Sequence, residues 1–170
     1  MTVTLGSFTC LPQGRLQIRP VTATDAGGLV ELHSRCSQQA QYFRFHAAKP
    51  RLRPAEAGYL AAVDGRARVA LAATVVEDGT ERIVADARFD LVGDGDAEAA
   101  LLVRDDCAGQ GLGSRLLGRL LELAAGLGVR RLLLDILADN TAMLALARRV
   151  GAEPVAFDGR SVLYAVSTVR

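Results

Sequence analysis

A chain of 170 residues suggests one domain, and with half its residues hydrophobic and 23% charged it has the makings of a globular core. The net charge is +1 with no basic tract, which argues against nucleic acid as a partner, and no span approaches about 20 uninterrupted apolar residues, which argues against membrane insertion. Cys10, Cys36 and Cys107 match no zinc spacing and are odd in number for a disulfide framework, so no metal is expected and a reduced, cytoplasmic setting is.

Met1 to Gly14 is aperiodic and lacks the charged start and apolar run of a leader. Residues 1–14 are expected to be a tail or loosely docked arm, leaving 15–170 as the domain. Arg15 to Val21 alternates Leu16, Ile18 and Pro20 with polar neighbours, predicting a first strand. Thr24 and Asp25 predict the cap of a helix reaching about Arg35, in which His33 packs with Leu29 and Leu32. Ser37 to Pro50 predicts a short helix and a loop, and Pro54 suits the first turn of another helix ending near Val63. Val69 to Val76 and Ile83 to Leu91 flank the turn Glu77-Asp-Gly-Thr80, and Asp94-Gly-Asp96 turns into Ala97 to Val103. These three strands predict an antiparallel meander.

A long helix pattern follows, with Leu112, Leu116, Leu120, Leu123 and Leu127 on one face and Arg115, Arg119 and Glu122 on the other. Arg131 to Leu137 reads as a buried strand. Asn140 caps a last helix through Val150, and Gly151 stops it. Arg148 and Arg149 complement the dipole of its last turn. Glu153 to Phe157 and Ser161 to Val166 form a closing hairpin across Asp158-Gly159.

The stretch with the most chemical content is Cys107-Ala-Gly-Gln-Gly-Leu-Gly-Ser-Arg-Leu-Leu117. Gly109, Gly111 and Gly113 leave backbone N–H groups unshielded where a helix begins, so free amides and the positive helix end converge as a pyrophosphate site. A P-loop would need Gly-Lys-Ser/Thr, and no lysine is present. A dinucleotide turn, with Asp135 facing a ribose, would follow its strand at once, whereas Arg104 to Ala108 intervene here. A glycine-rich turn without a ligand accounts for one glycine better than for three in alternation. Cys107 beside the loop is read as a small packed residue rather than a nucleophile.

Val103 through Gly113, with Asn140 and Gly151, resembles the GNAT superfamily of acyl-CoA-dependent acetyltransferases. Tyr42-Phe-Arg-Phe45, Val63-Asp64 and Arg68-Val-Ala-Leu71 are similar to the catalytic domain of Pat-type bacterial protein lysine acetyltransferases. The resemblance implies an α/β (α+β) fold in three layers, with a mixed, mostly antiparallel sheet, splayed central strands and flanking helices. It implies acetyl-CoA as cosubstrate and direct attack by a primary amine on the thioester. Gly109, Gln110, Gly111, Leu112, Gly113 and Ser114 would cradle the pyrophosphate, and the backbone of Leu101, Leu102 and Val103 would bond the pantetheine arm like an added strand. Asn140 would contact the arm, and Arg115 or Arg119 the 3′-phosphate.

Glu98 stands where Pat-type domains carry a catalytic glutamate, and a carboxylate among Ala97, Ala99, Ala100 and Leu101 suits a general base. Two positions depart from the superfamily pattern. Ala108 takes the place of a Gln or Arg in the phosphate loop, and Ala147 that of a tyrosine that protonates the leaving thiolate. The acceptor is expected to meet Gln41 to Pro54, with Tyr42, Arg44, His46 and Arg51, and the hairpin around Asp158. A protein lysine is the first reading of the acceptor. A small-molecule amine, or a silent acyl-CoA sensor or interaction module, are the alternatives, and the oligomeric state is open.

Overall fold

Alternation of burial along the strands sets the architecture. The computed structural model describes residues 16–169, so the expected arm at 1–14 and Cys10 lie outside the described residues. The strands are β1 (Gln17–Pro20), β2 (Arg68–Glu77), β3 (Thr80–Gly93), β4 (Asp96–Val103), β5 (Arg131–Leu137), β6 (Glu153–Phe157) and β7 (Ser161–Ser167). The helices are α1 (Ala26–Ser34), α2 (Gln38–Phe45), α3 (Pro54–Ala61), α4 (Leu112–Gly126) and α5 (Thr141–Arg149). The strands form one sheet of order β1-β2-β3-β4-β5-β7-β6. Only the β4–β5 pair is parallel.

Both faces of β2 are buried, but in different cores. Val69, Leu71, Ala73 and Val75 join a cluster with Leu116, Leu117 and Leu120 of α4 and Leu146 and Ala147 of α5. Ala70 and Ala72 join a second cluster with Leu29 and Leu32 of α1 and Ala57 and Ala61 of α3. The three layers are therefore α1–α3, the sheet, and α4–α5. The fold class expected from the sequence is the one observed.

Local details differ from the sequence reading. Asp25 is the N-cap residue of α1 as expected, but its carboxylate does not cap that helix; it accepts from Thr22 N at 2.7 Å within a preceding 3-10 turn over Ala23–Asp25, which Thr22 caps. On α4 the buried face turns towards Leu117 and Ala124, while Leu127, the residue just past the helix, is 44% exposed.

The feature that positions the site is the short parallel pairing. β4 and β5 share only Asp96↔Arg131, Ala97↔Leu132 and Glu98↔Leu133. Beyond Glu98 the strands part, although β4 continues to Val103 and β5 to Leu137. Backbone groups of β4 that would face β5 are thereby free for another chain-like group.

Candidate functional site

The parting strands open a cleft of about 420 Å³. Its walls include Leu101, Leu102 and Val103 of β4, Leu134, Asp135 and Ile136 of β5, Gly109, Gly111, Gly113 and Ser114 at the start of α4, and Asn140, Met143 and Arg149 at α5. Ala40, Phe43, Arg44 and His46 close it from the α2 side. One continuous cavity thus joins the glycine turn to the segment expected to meet an acceptor.

The three glycines serve different ends. Gly109 and Gly111 have φ of +73° and +80°, and a Cβ at either would meet nothing within 4 Å. Their amides border open space, and Gly111 is the N-cap of α4 with no side-chain oxygen to satisfy the first turn. That is the arrangement an oxyanion fills. At Gly113 a Cβ would lie 3.2 Å from Leu146 Cδ2 and 3.3 Å from Leu101 Cδ2, so glycine there lets α4 approach β4 and α5.

The remaining expected cofactor residues are placed unevenly. Asn140 caps α5 through Oδ1, which accepts from Met143 N at 3.1 Å, and it also borders the cleft. The Leu112 side chain is 2% exposed and packs in the core, so only its backbone can serve a ligand. Gln110 turns its amide back onto Asp106 O at 2.8 Å. Arg119 is tied to Glu122 at 2.7 Å, and neither it nor Arg115 borders the cleft. Arg149, read from sequence only as a dipole partner, does border it and donates to Ser114 Oγ at 3.3 Å. Its sequence signal is its place on the last turn of the helix that Asn140 opens. Ala108 lies on the cleft wall, and Ala147 is fully buried among apolar side chains, so neither brings a polar group. Cys107 is fully buried, and burial pushes the Cys36 thiol up to about 12. Among the described residues, no group of three or more His, Cys, Asp or Glu could hold a metal.

Glu98 is the last residue of β4 paired with β5, at the apex of the opening. Ala97 and Ala99 are buried on the α4–α5 side, while Glu98 is exposed on the opposite face. Ala97, Ala99 and Leu101 therefore belong to the other side of the sheet, and the carboxylate is not buried. Its side chain has no hydrogen-bonded partner among the described residues. Arg44 of α2 feels its charge, together with those of Asp86 and Asp90, while burial lowers the Arg44 pKa.

The acceptor-side segment is held at both ends. Ser37, the N-cap of α2, donates from N and Oγ to the Asp105 carboxylate, each at 2.7 Å. Asp105 sits in the β4–α4 connection and borders the cleft. At the other end Arg160, in the β6–β7 turn, donates to Tyr42 Oη at 3.2 Å and to the His46 carbonyl. His46 closes α2 in the left-handed conformation, φ +55°. Its Nδ1 lies 3.6 Å from Asp135 Oδ2 across the cleft mouth. Arg51 is exposed and does not border the cleft.

Known proteins match this arrangement. The model of the acetyltransferase (GNAT) domain matches residues 15–153. Acetyltransferase Pat of Mycolicibacterium smegmatis is 34% identical over 137 residues, 79% of this chain, and this chain spans 40% of that protein's length. The crystal structure of the GNAT domain of S. lividans PAT superposes with a TM-score of 0.82 at 30% identity, covering 89% of this chain and 90% of that one. An N-acetyltransferase of Thermoplasma acidophilum solved in complex with coenzyme A shares the fold with a TM-score of 0.75 at 13% identity, covering 90% of this chain and 99% of that one.

Proposed function

The chain belongs to the GNAT acetyltransferase family, and on that premise we propose that it moves acetyl from acetyl-CoA to a lysine side chain of a protein. The observation that carries this reading is the single cleft running from the glycine turn, past the free edge of β4, to the α2 side. The turn amides and the start of α4 suit the pyrophosphate, and the β4 edge beyond Glu98 suits the pantetheine amides. Asn140 and Arg149 border the same path, Arg149 supplying the charge that Ala108 does not. The acetyl carbon then lies towards the apex, where β4 and β5 part.

Glu98 is our candidate general base. Its apex position and its free, exposed carboxylate suit a group that receives a proton directly or through one water. Attack by the amine forms the C–N bond as the C–S bond breaks. With Ala147 buried in the core, the thiolate is protonated by solvent or by the proton Glu98 has taken. We place the reaction in the cytoplasm, a setting supported by the two described cysteines, both buried and neither in a disulfide among the described residues.

Support for a protein acceptor comes from the likeness to Pat and from the segment Gln41 to Pro54, which carries basic residues and no acidic one. The test is thiol release and mass gain with lysine peptides and with a panel of polyamines and aminoglycosides. Acetylated peptide with an inert panel supports the proposal; the reverse pattern makes the acceptor a small amine. Acetyl-CoA binding with neither product would make the chain a sensor.

A further inference from the structure

An incoming lysine carries two protons too many. As an ammonium it must lose one before it can attack, and the adduct must lose a second as the amide forms. Glu98 at the apex accounts for one of them. The mouth of the cleft holds a second candidate for proton transfer, His46 of α2 facing Asp135 of β5, with both residues on the cleft wall.

We propose that His46 and Asp135 form a proton-handling pair at the acceptor side, His46 taking the ammonium proton and Asp135 holding the imidazole. This rests on the acetyl-transfer reading above and names a different group for a different proton. With Nδ1 turned to the Asp135 carboxylate, Nε2 is the nitrogen left to meet the amine. At 3.6 Å the pair is beyond a hydrogen bond and within ion-pair reach. An imidazolium there would face a carboxylate at ion-pair distance.

Two constraints aim the ring. His46 is in the left-handed region, uncommon for a residue with a Cβ, and its amide is tied to Tyr42 O at 2.7 Å. Its carbonyl is tied to Arg160 of the β6–β7 turn. The charged groups around this place are Asp135 from β5, Arg44 of α2 and Asp105 of the β4–α4 connection on the cleft wall, and Arg160 of the β6–β7 turn, which holds the His46 carbonyl. The step balances. The ammonium gives one proton to Nε2, and the neutral amine forms the C–N bond while sulfur leaves with the C–S electron pair. The second N–H proton passes by way of Glu98 to the thiolate. Imidazolium returns its proton to water, so each turnover releases one proton.

The experiment compares the full-length wild type with His46→Asn and Asp135→Asn, asparagine being a residue the left-handed position accepts. Two acceptor peptides are used, one with lysine and one with an aminooxy group at the same place, whose nitrogen is already neutral at pH 7. His46→Asn should lower kcat/KM for lysine by about 100-fold more than for the aminooxy peptide. Asp135→Asn should lower kcat/KM for lysine more than for the aminooxy peptide. The chain has two histidines, and His33 is buried, so the His46 ring can be followed by NMR. Its ring resonances should shift in Asp135→Asn. Equal loss on both peptides, no loss on lysine, or unmoved His46 ring resonances overturns the pair. A wild type active on the aminooxy peptide alone overturns the lysine reading instead, and the NMR comparison then decides on the pair.

Discussion

Gly111 has open space where a side chain would go and a backbone that L-residues adopt at a cost. Gly111→Asp should cost the free protein about 1 kcal/mol from the positive φ. It should also abolish the rise in melting temperature with acetyl-CoA, because a carboxylate would occupy the phosphate position. For wild type that rise corresponds to ~2.7 kcal/mol at a hundredfold excess over Kd. A preserved rise in the variant, read by thermal denaturation, would move the phosphate elsewhere. Glu98→Gln should leave folding and acetyl-CoA affinity intact, since the side chain is exposed and unpaired. Turnover should fall by ~100-fold or more, and steady-state kinetics with separate kcat and KM reads the effect. The sequence places this glutamate among alanines and leucines, which suggests a buried carboxylate. Strand alternation sends Ala97, Ala99 and Leu101 to the opposite core and leaves the carboxylate exposed, so the case for Glu98 rests on its apex position and not on burial.

Among the elements, α2 lines the cleft and is tied at both ends to other parts of the fold. One end is tied to the β4–α4 connection through Ser37 and Asp105, the other to the closing hairpin through Arg160. Ser37→Ala removes a helix cap and the Oγ bond to Asp105, and should cost about 1 kcal/mol in denaturant unfolding. Arg160→Ala should raise the acceptor KM while the acetyl-CoA-induced stabilisation stays as in wild type. An unchanged acceptor KM would show that the hairpin does not shape the acceptor side. The sequence marks the Gln41 to Pro54 segment as chemically rich but leaves its contacts undefined. Arg160 lies 114 positions from His46, and no spacing rule connects residues so far apart.

For the molecule as a whole, stability should fall with acidity in two stages. Burial holds the His33 ring below its ordinary pKa. A depressed histidine contributes stability that is present above its unfolded value of about 6.5 and is lost as pH falls through the folded value. The second stage comes from Asp25, Glu77 and Asp106, each lowered chiefly by hydrogen bonds from Arg19 or Arg104. Their contribution is present above the unfolded carboxylate values near 4 and is lost as pH falls through the still lower folded values. Melting temperature against pH should thus begin to decline below about 6.5 and steepen below about 4. His33→Asn should remove the first decline alone; its persistence would assign that step to another group.

The likeness of the glycine-loop stretch to the GNAT motif implied the layered α/β fold, while local pattern in this chain was enough to determine the order of strands and helices, the glycine turn at the start of α4 and the Asn140 cap. Those features depend on residues close in sequence, where periodicity, capping and turn chemistry act. The glycines, Asn140 and Leu101 to Val103 could be named together because they lie on consecutive elements. Only the tertiary structure decided where β4 and β5 part, since that depends on how far a parallel pairing runs before packing on both faces forces the strands apart. It alone brought Arg149 to Ser114, turned Glu98 away from its apolar neighbours, and set His46 opposite Asp135. Such pairs join residues remote in the chain, and their positions are fixed by the two cores on either side of the sheet.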